Sequence, residues 1–321
     1  MSRASVASIA ALTLAACSGR PAGERAITPT PAPVEAISLR GDTLRAPALS
    51  PQLRATYERQ LADARAAAAR RPGDVDAAIW VGRRTAYLGR YREAIDVFTR
   101  AIAEHPDDAR LYRHRGHRYI TVRELDRAIA DFETAVKLTA GKPDEVEPDG
   151  LPNARNVPTS TLQSNIWYHL ALAHYLKGDF ERALPAYREA MAVSTNPDME
   201  VATAHWLYMT LRRLGRAEES AAVLAPIRPD MDIIENGSYH RLLLLYKGLL
   251  PPDSLLAQQP GVDAALDDAT VGYGLGNWHL YNGRPAEAEA LFRRVLAGGQ
   301  WGAFGYIAAE AEVSRGVTRK E

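Results

Sequence analysis

The residues able to do chemistry are few and widely spaced. His114 and His117 lie three apart in a stretch with helical spacing, and His169 with His174 or His205 could approach between neighbouring elements. Zinc hydrolases need a tighter pattern, two His four apart around a general-base Glu, because one helical turn must aim both imidazoles at one ion. No such pattern occurs, so His114 is read as packing between helices and no metal is assigned. Gly272, Gly274 and Gly276 lack the G-x-G-x-x-G spacing and fall inside a helical stretch, where they permit close helix contact. There is no G-x-S-x-G elbow and no P-loop. Catalytic groups can converge from distant segments, but none is assignable here, and the chain is read as non-enzymatic with no cofactor.

The composition narrows the classes further. The 321 residues carry 39 Lys+Arg against 39 Asp+Glu, which leaves no basic footprint for a phosphate backbone and no nucleic-acid partner. Hydrophobic residues make up 46% and aromatics 7%, and the abundance of Ala, Leu, Arg and Glu favours helix over sheet. A single Cys rules out an internal disulfide framework or a Cys-rich zinc site.

That Cys closes a signal-like run. Arg3 precedes an uncharged small-apolar stretch from Ala4 to Ala16, too short to span a bilayer and laid out like a secretory segment. Leu14-Ala15-Ala16-Cys17 resembles the bacterial lipobox, which implies cleavage after residue 16, lipidation of the Cys17 thiol and acylation of the new amino terminus. Buried methylenes contribute about 0.8 kcal/mol each, so several acyl chains make a durable anchor. The plainer reading is a cleaved signal, or an Ala-rich tail with an incidental Cys. Residues 17–50, with Pro21, Pro29, Pro31, Pro33 and Pro47, read as an extended tether. Ser18, rather than Asp after the lipidated Cys, favours the periplasmic side of the outer membrane.

Beyond the tether the chain repeats itself. With Val75–Asp108 aligned on Ala109–Lys142, Gly82 falls on Gly116, Ala94 on Ala128, Ile95 on Ile129, Phe98 on Phe132 and Ala101 on Ala135 at a constant offset of 34. Ser164, Val201 and Ala269 open further units in the same frame. Small residues recur where two helices must cross closely and large ones where the space between them is filled; a lone pair cannot bury such a face, whereas a stack can. Gly89, Gly178, Gly215 and Gly283 end first helices, and Asp74 and Asp108 suit N-caps. At these positions the sequence resembles the tetratricopeptide repeat (TPR) family. The resemblance implies an all-α, right-handed α-solenoid of helix-turn-helix units with one degenerate unit and one irregular insertion. The boundaries are a signal at 1–16, the tether at 17–50, an N-terminal helix and two units at 51–142, an insertion at 143–163, further units at 164–302 with the degenerate one at 235–268, and a capping helix and tail at 303–321.

The insertion, PDEVEPDGLPNARNVPTSTLQ, carries Asp144, Glu145, Glu147 and Asp149 and the apolar Val146, Leu151, Val157 and Leu162. Two readings stand: a lid folded over the concave face with its acids on a basic cluster, or a mobile surface loop.

In the family, first helices line an inner groove. Carrying its groove positions over gives Arg83, Arg110, Arg113, His117, Tyr168, His205, Tyr273 and Asn277 as ligand- or peptide-binding candidates. The groove then runs from cationic to aromatic and amide-rich, which suits a protein or peptide that is acidic or ends in a free carboxylate. The chaperone-binding carboxylate clamp is not supported, because Ile79 and Arg83 stand where it needs other residues. The expected function is a membrane-anchored scaffold or adaptor in the bacterial cell envelope. The alternatives are an enzyme or small-ligand-binding protein with a site between the N-terminal groove and the 143–163 insertion, and a structural envelope assembly factor.

Overall fold

The computed structural model describes residues 32–255 and 264–316, so residues 1–16 and Cys17 lie outside it. A short antiparallel hairpin, β1 (Val34–Ile37) and β2 (Thr43–Arg45), precedes the helices. These are α1 (Pro51–Arg70), α2 (Val75–Tyr87), α3 (Tyr91–Glu104), α4 (Ala109–Thr121), α5 (Leu125–Thr139), α6 (Leu162–Lys177), α7 (Phe180–Ala192), α8 (Pro197–Arg213), α9 (Ala217–Leu224), α10 (Gly237–Tyr246), α11 (Pro252–Leu255), α12 (Ala264–Tyr281), α13 (Pro285–Ala297) and α14 (Phe304–Arg315). Among the described residues no helix is long and apolar enough to cross a membrane.

The pairs follow the 34-residue frame, with α2, α4, α6, α8, α10 and α12 as first helices. Three of the pairs close on a glycine under a phenylalanine ring, Gly82 under Phe98, Gly116 under Phe132 and Gly276 under Phe292. A Cβ on Gly82 would lie 2.3 Å from the Phe98 ring, and one on Gly276 would lie 2.5 Å from that of Phe292. The Asp74 and Asp108 carboxylates accept from the Ala77 and Arg110 amides, capping α2 and α4 as their positions imply. The degenerate unit keeps its first helix, α10, and the proline pair at 251–252 leaves only the four-residue α11. A Cβ on Gly274 would lie 2.6 Å from Leu242, so Gly274 lets α10 approach α12 closely, while Gly272 and Gly276 face Val295 and Phe292 of α13.

Two expectations change. The tether does not extend to residue 50: Ala36 and Leu44 of the hairpin are buried, and the buried Glu35 accepts the Arg92 amide at the start of α3 through its carboxylate. Nor does α14 turn a polar face outward as a terminal cap. Ile307, Ala308, Ala309, Glu310, Ala311 and Glu312 are all buried, because the hairpin and the first-helix ends cover the sides that a simple cap would leave wet. Glu310 meets Arg123 at 2.8 Å, Glu312 meets Arg213 at 2.7 Å, and Arg315 donates to the Leu176 carbonyl at 2.8 Å. The last helix thus ties the ends of α4, α6 and α8 together, and the Leu39 carbonyl accepts from Ser314 to join the hairpin to the same seam.

Candidate functional site

The 143–163 insertion crosses the face formed by the first helices. Its two limbs are pinned to each other where Val146 bridges Thr161, the Glu147 amide donates to the Ser160 carbonyl at 3.1 Å, and the Leu162 amide donates to that of Glu145 at 2.8 Å. Asp144 accepts from the Gln163 amide at the start of α6, the position where a helix dipole favours an anion.

From this ladder Glu147 projects onto α4. Its carboxylate pairs with the buried Arg113 at 2.8 Å and accepts from Asn165 of α6 at 3.1 Å. Arg83 and Arg84 donate to the carbonyls of Pro148 and Gly150 at 2.7 and 2.9 Å. Gly150 is obligatory at this crossing, since a Cβ there would lie 1.6 Å from the Tyr87 hydroxyl. Further along, Asn153 and Thr159 both donate to Glu235, at 2.9 and 2.6 Å, and Arg155 pairs with Asp232 at 2.7 Å. Of the two readings left open by the sequence, the segment takes the covering one. Its acids divide unevenly, with Glu147 meeting the basic cluster while Asp144 caps α6.

Beneath it lies a cavity of about 310 Å³ lined from four first helices by Arg113, His117, Tyr168, His169, Thr203 and Tyr239, with Asp149 and Glu235 from the loops. Phe304 of α14 closes the far wall, its ring 5.4 Å from that of His117, and His117 and His169 lie 4.6 Å apart. The imidazoles are uncharged. Burial, aided by the Arg118 and Arg113 charges, holds His117 well below its usual range and takes His169 down to about 3. His169 Nδ1 lies 2.6 Å from the Asn165 carbonyl, which fixes the proton on that nitrogen. Burial also raises the Tyr168 hydroxyl well above its ordinary value, with Tyr239 and Tyr187 adding to it. The chamber offers neutral donors, aromatic walls, the Arg113 guanidinium and the carboxylates of Asp149 and Glu235.

Of the eight candidates, Arg113, His117 and Tyr168 line this space, and Arg83 lines a smaller one beside it with Arg113 and His117. Arg110 lies outside it, paired with Asp76 and Asp108 at 2.6 Å each. The other three are interior. His205 is wholly buried, stacked on Tyr239 and Tyr246 at 4.7 and 5.8 Å. Tyr273 and Asn277 converge on the Tyr175 hydroxyl at 2.7 Å each, inside the seam where α12 and α14 meet. Tyr273 and Asn277 are structural because α14 packs over α12, and His205 because α10 packs over it. Sequence reasoning missed Arg118 and Phe304. The run Arg113-His114-Arg115-Gly116-His117-Arg118 is a local sign of the first, whereas nothing near Phe304 in sequence signals its return to α4 and α6. Among the described residues no cluster of His, Cys, Asp or Glu is arranged to hold a metal ion.

Residues 82–143, 164–196 and 273–300 each match a model of the tetratricopeptide repeat. No curated protein matches the chain. Among solved structures, YrrB, described as a TPR protein with an unusual peptide-binding site, is 14% identical with a TM-score of 0.41, over 74% of this chain and 92% of its own. MamA is 17% identical with a TM-score of 0.39, over 53% and 86%. TTC0263, described as a thermophilic TPR protein in Thermus thermophilus, is 18% identical with a TM-score of 0.38, over 70% and 90%. The matched segments include α4 and α6 of the chamber's wall, and such repeats support protein or peptide binding.

Proposed function

We propose that this tetratricopeptide-repeat chain is a membrane-anchored scaffold or adaptor that binds a protein or peptide in the bacterial cell envelope, through the concave chamber beneath its insertion. The observation that carries the reading is the convergence of Arg113, His117, Tyr168 and Tyr239, from the first helices α4, α6 and α10, on one accessible space. Side chains that serve packing alone have no reason to leave such a space between them. The anchoring part rests on the signal-like run ending at Cys17, and the outer-membrane part on Ser18.

The test places a photoactivatable cross-linker at Tyr239 in the chamber or at the exposed Asp96 of α3, in cells. Adducts from Tyr239 alone are expected; equal adducts from both, or none from Tyr239, overturn the groove reading. In parallel, Cys17→Ser protein leaves the membrane fraction if the anchor is lipid, and stays if it is not.

A second reading, a small-ligand-binding protein or enzyme using the same space, is favoured by one feature: the insertion covers the N-terminal groove instead of leaving it open for an extended chain. Under that reading the adduct at Tyr239 is a small molecule and no protein band appears.

A further inference from the structure

The two free carboxylates of the chamber come from outside the first helices, Asp149 from the insertion and Glu235 from the turn before α10. Glu235 accepts hydrogen bonds from Asn153 and Thr159, which are neutral donors. Neither acid has a Lys or Arg nitrogen within ion-pair distance among the described residues, and Asp149 feels Arg83 only at longer range. The guanidinium in the lining, that of Arg113, is already matched by Glu147 at 2.8 Å. The space therefore carries two negative charges that no ion pair among the described residues balances. The acids also act on each other: burial first, and then the Glu235 charge, raise Asp149 above its ordinary value.

A third acceptor stands in the wall of the same space. His169 is 4% exposed. Its Nδ1 proton goes to the Asn165 carbonyl at 2.6 Å, so Nε2 carries the lone pair. That nitrogen has no hydrogen-bond partner among the described residues, and it is not sealed in the core as Nε2 of His205 is. A buried acceptor without a donor costs free energy that an N–H from a ligand restores. Tyr168, Tyr239 and Phe304 line the chamber with it, the Phe304 ring 5.5 Å from that of His169. Aromatic faces attract a cation. Carboxylates, a bare imidazole nitrogen and aromatic rings all favour the same ligand chemistry, a hydrogen-bond donor with a positive charge.

We propose that the chamber is a cation site that receives a primary alkylammonium group, such as a lysine side chain of the bound partner, beside Asp149, Glu235 and His169. An ammonium has three donors and no acceptor, which complements a lining whose free groups are acceptors. Its donors rotate about one point charge and can meet groups held on three separate elements, whereas the planar fork of a guanidinium matches the two oxygens of one carboxylate. A metal ion is a poorer fit, because among the described residues no His, Asp and Glu cluster is arranged to hold one. The space of about 310 Å³ admits an alkyl stem along its aromatic wall with the charged head at the acids. The proposal rests on the chamber being the binding space. It reverses the acidic ligand that the arginines of the first helices suggest, because Glu147 of the insertion has already taken Arg113.

The test follows histidine ring nitrogens of the full-length protein labelled with ¹⁵N, with the His169 signals assigned by their loss in His169→Phe. N-acetyl-lysine N-methylamide should shift His169 Nε2 saturably, and the norleucine analogue, similar in stem but uncharged, should not. Asp149→Asn should weaken the response about tenfold. Asp96→Asn, on α3, should leave it unchanged, and backbone amide signals as dispersed as the parent's show that Asp149→Asn is folded. Butylamine titrated alongside separates the sources of the ammonium. Tighter binding of the lysine derivative assigns the site to a partner's side chain, tighter binding of butylamine to a free amine, and either supports the cation site. No saturable shift, or equal shifts from the lysine and norleucine compounds, overturns the proposal. So does tighter binding of the glutamate analogue, which would make the space an anion site, or of magnesium ion, which would make it a metal site. The result is independent of the cross-linking at Tyr239: adducts without a lysine response leave the scaffold reading standing and remove the ammonium site, and a lysine response without protein adducts leaves the ammonium site standing.

Discussion

Glu147, on a segment outside the repeats, meets Arg113, in the middle of α4, at 2.8 Å with the two side chains only 10% and 9% exposed. This pair is the central fastening of the insertion to the concave face. Burial disfavours the Arg113 charge and Glu147 is the chief group restoring it. Removing one partner of such a pair leaves a buried charge uncompensated. Glu147→Gln is therefore expected to destabilise the fold by about 3 kcal/mol in urea unfolding, and Glu147→Gln with Arg113→Met to recover part of that loss.

Gly150 tests the covering geometry without altering a charge. A methyl group at this position would lie 1.6 Å from the Tyr87 hydroxyl and 2.6 Å from an Arg83 nitrogen, so Gly150→Ala should lift the insertion off α2. Limited trypsin digestion should then cut after Arg155 sooner than in the parent protein, and Tyr87→Ala in the same chain should restore protection. The melting temperature should change little, because the repeats bury their cores independently of this segment.

The C-terminal seam depends on a more deeply buried pair. Arg123 and Glu310 are 3% and 1% exposed at 2.8 Å, and Arg123 also donates to the Trp301 carbonyl at 2.9 Å. Glu310→Gln should cost about 3–5 kcal/mol and raise hydrogen exchange in α14 and the β1–β2 hairpin together, since both lean on that carboxylate. Exchange confined to α14 would contradict the shared seam.

Acid should weaken the fold through its buried histidines. His205 and His169 are both held down to about 3 by burial, whereas in the unfolded chain they take up protons near their ordinary value of about 6.5. The unfolded state thus binds more protons in the interval between, so stability is level above about pH 6.5 and falls toward pH 3. Each histidine contributes up to about 1.4 kcal/mol per pH unit. His205→Phe keeps the stack between Tyr239 and Tyr246 and should flatten the fall measured by urea unfolding from pH 7 to pH 4.5; an unchanged slope would rule His205 out as a source.

The repeat was readable because its signals are local. Gly82 under Phe98 and Gly116 under Phe132 are spacings within one helix pair, and they hold wherever the pair is placed. The groove candidates divided on the same principle. Arg83 and Arg113 were found because a first helix presents the same row in every unit. Tyr273 and Asn277 were misplaced because their exposure depends on α14, which returns to the array only through partners far away in sequence, such as Arg213 with Glu312.

What the sequence determined by itself was the 34-residue frame, its helix ends, the proline break at 251–252 and the location of an insertion rich in acids and apolar residues. All of these follow from periodicity, capping and backbone chemistry acting over a few turns. The tertiary structure decided which parts of the concave face remain open. That choice was made by long-range pairings, Arg113 with Glu147 and Arg123 with Glu310, whose energies exist only once distant segments have excluded water from around them.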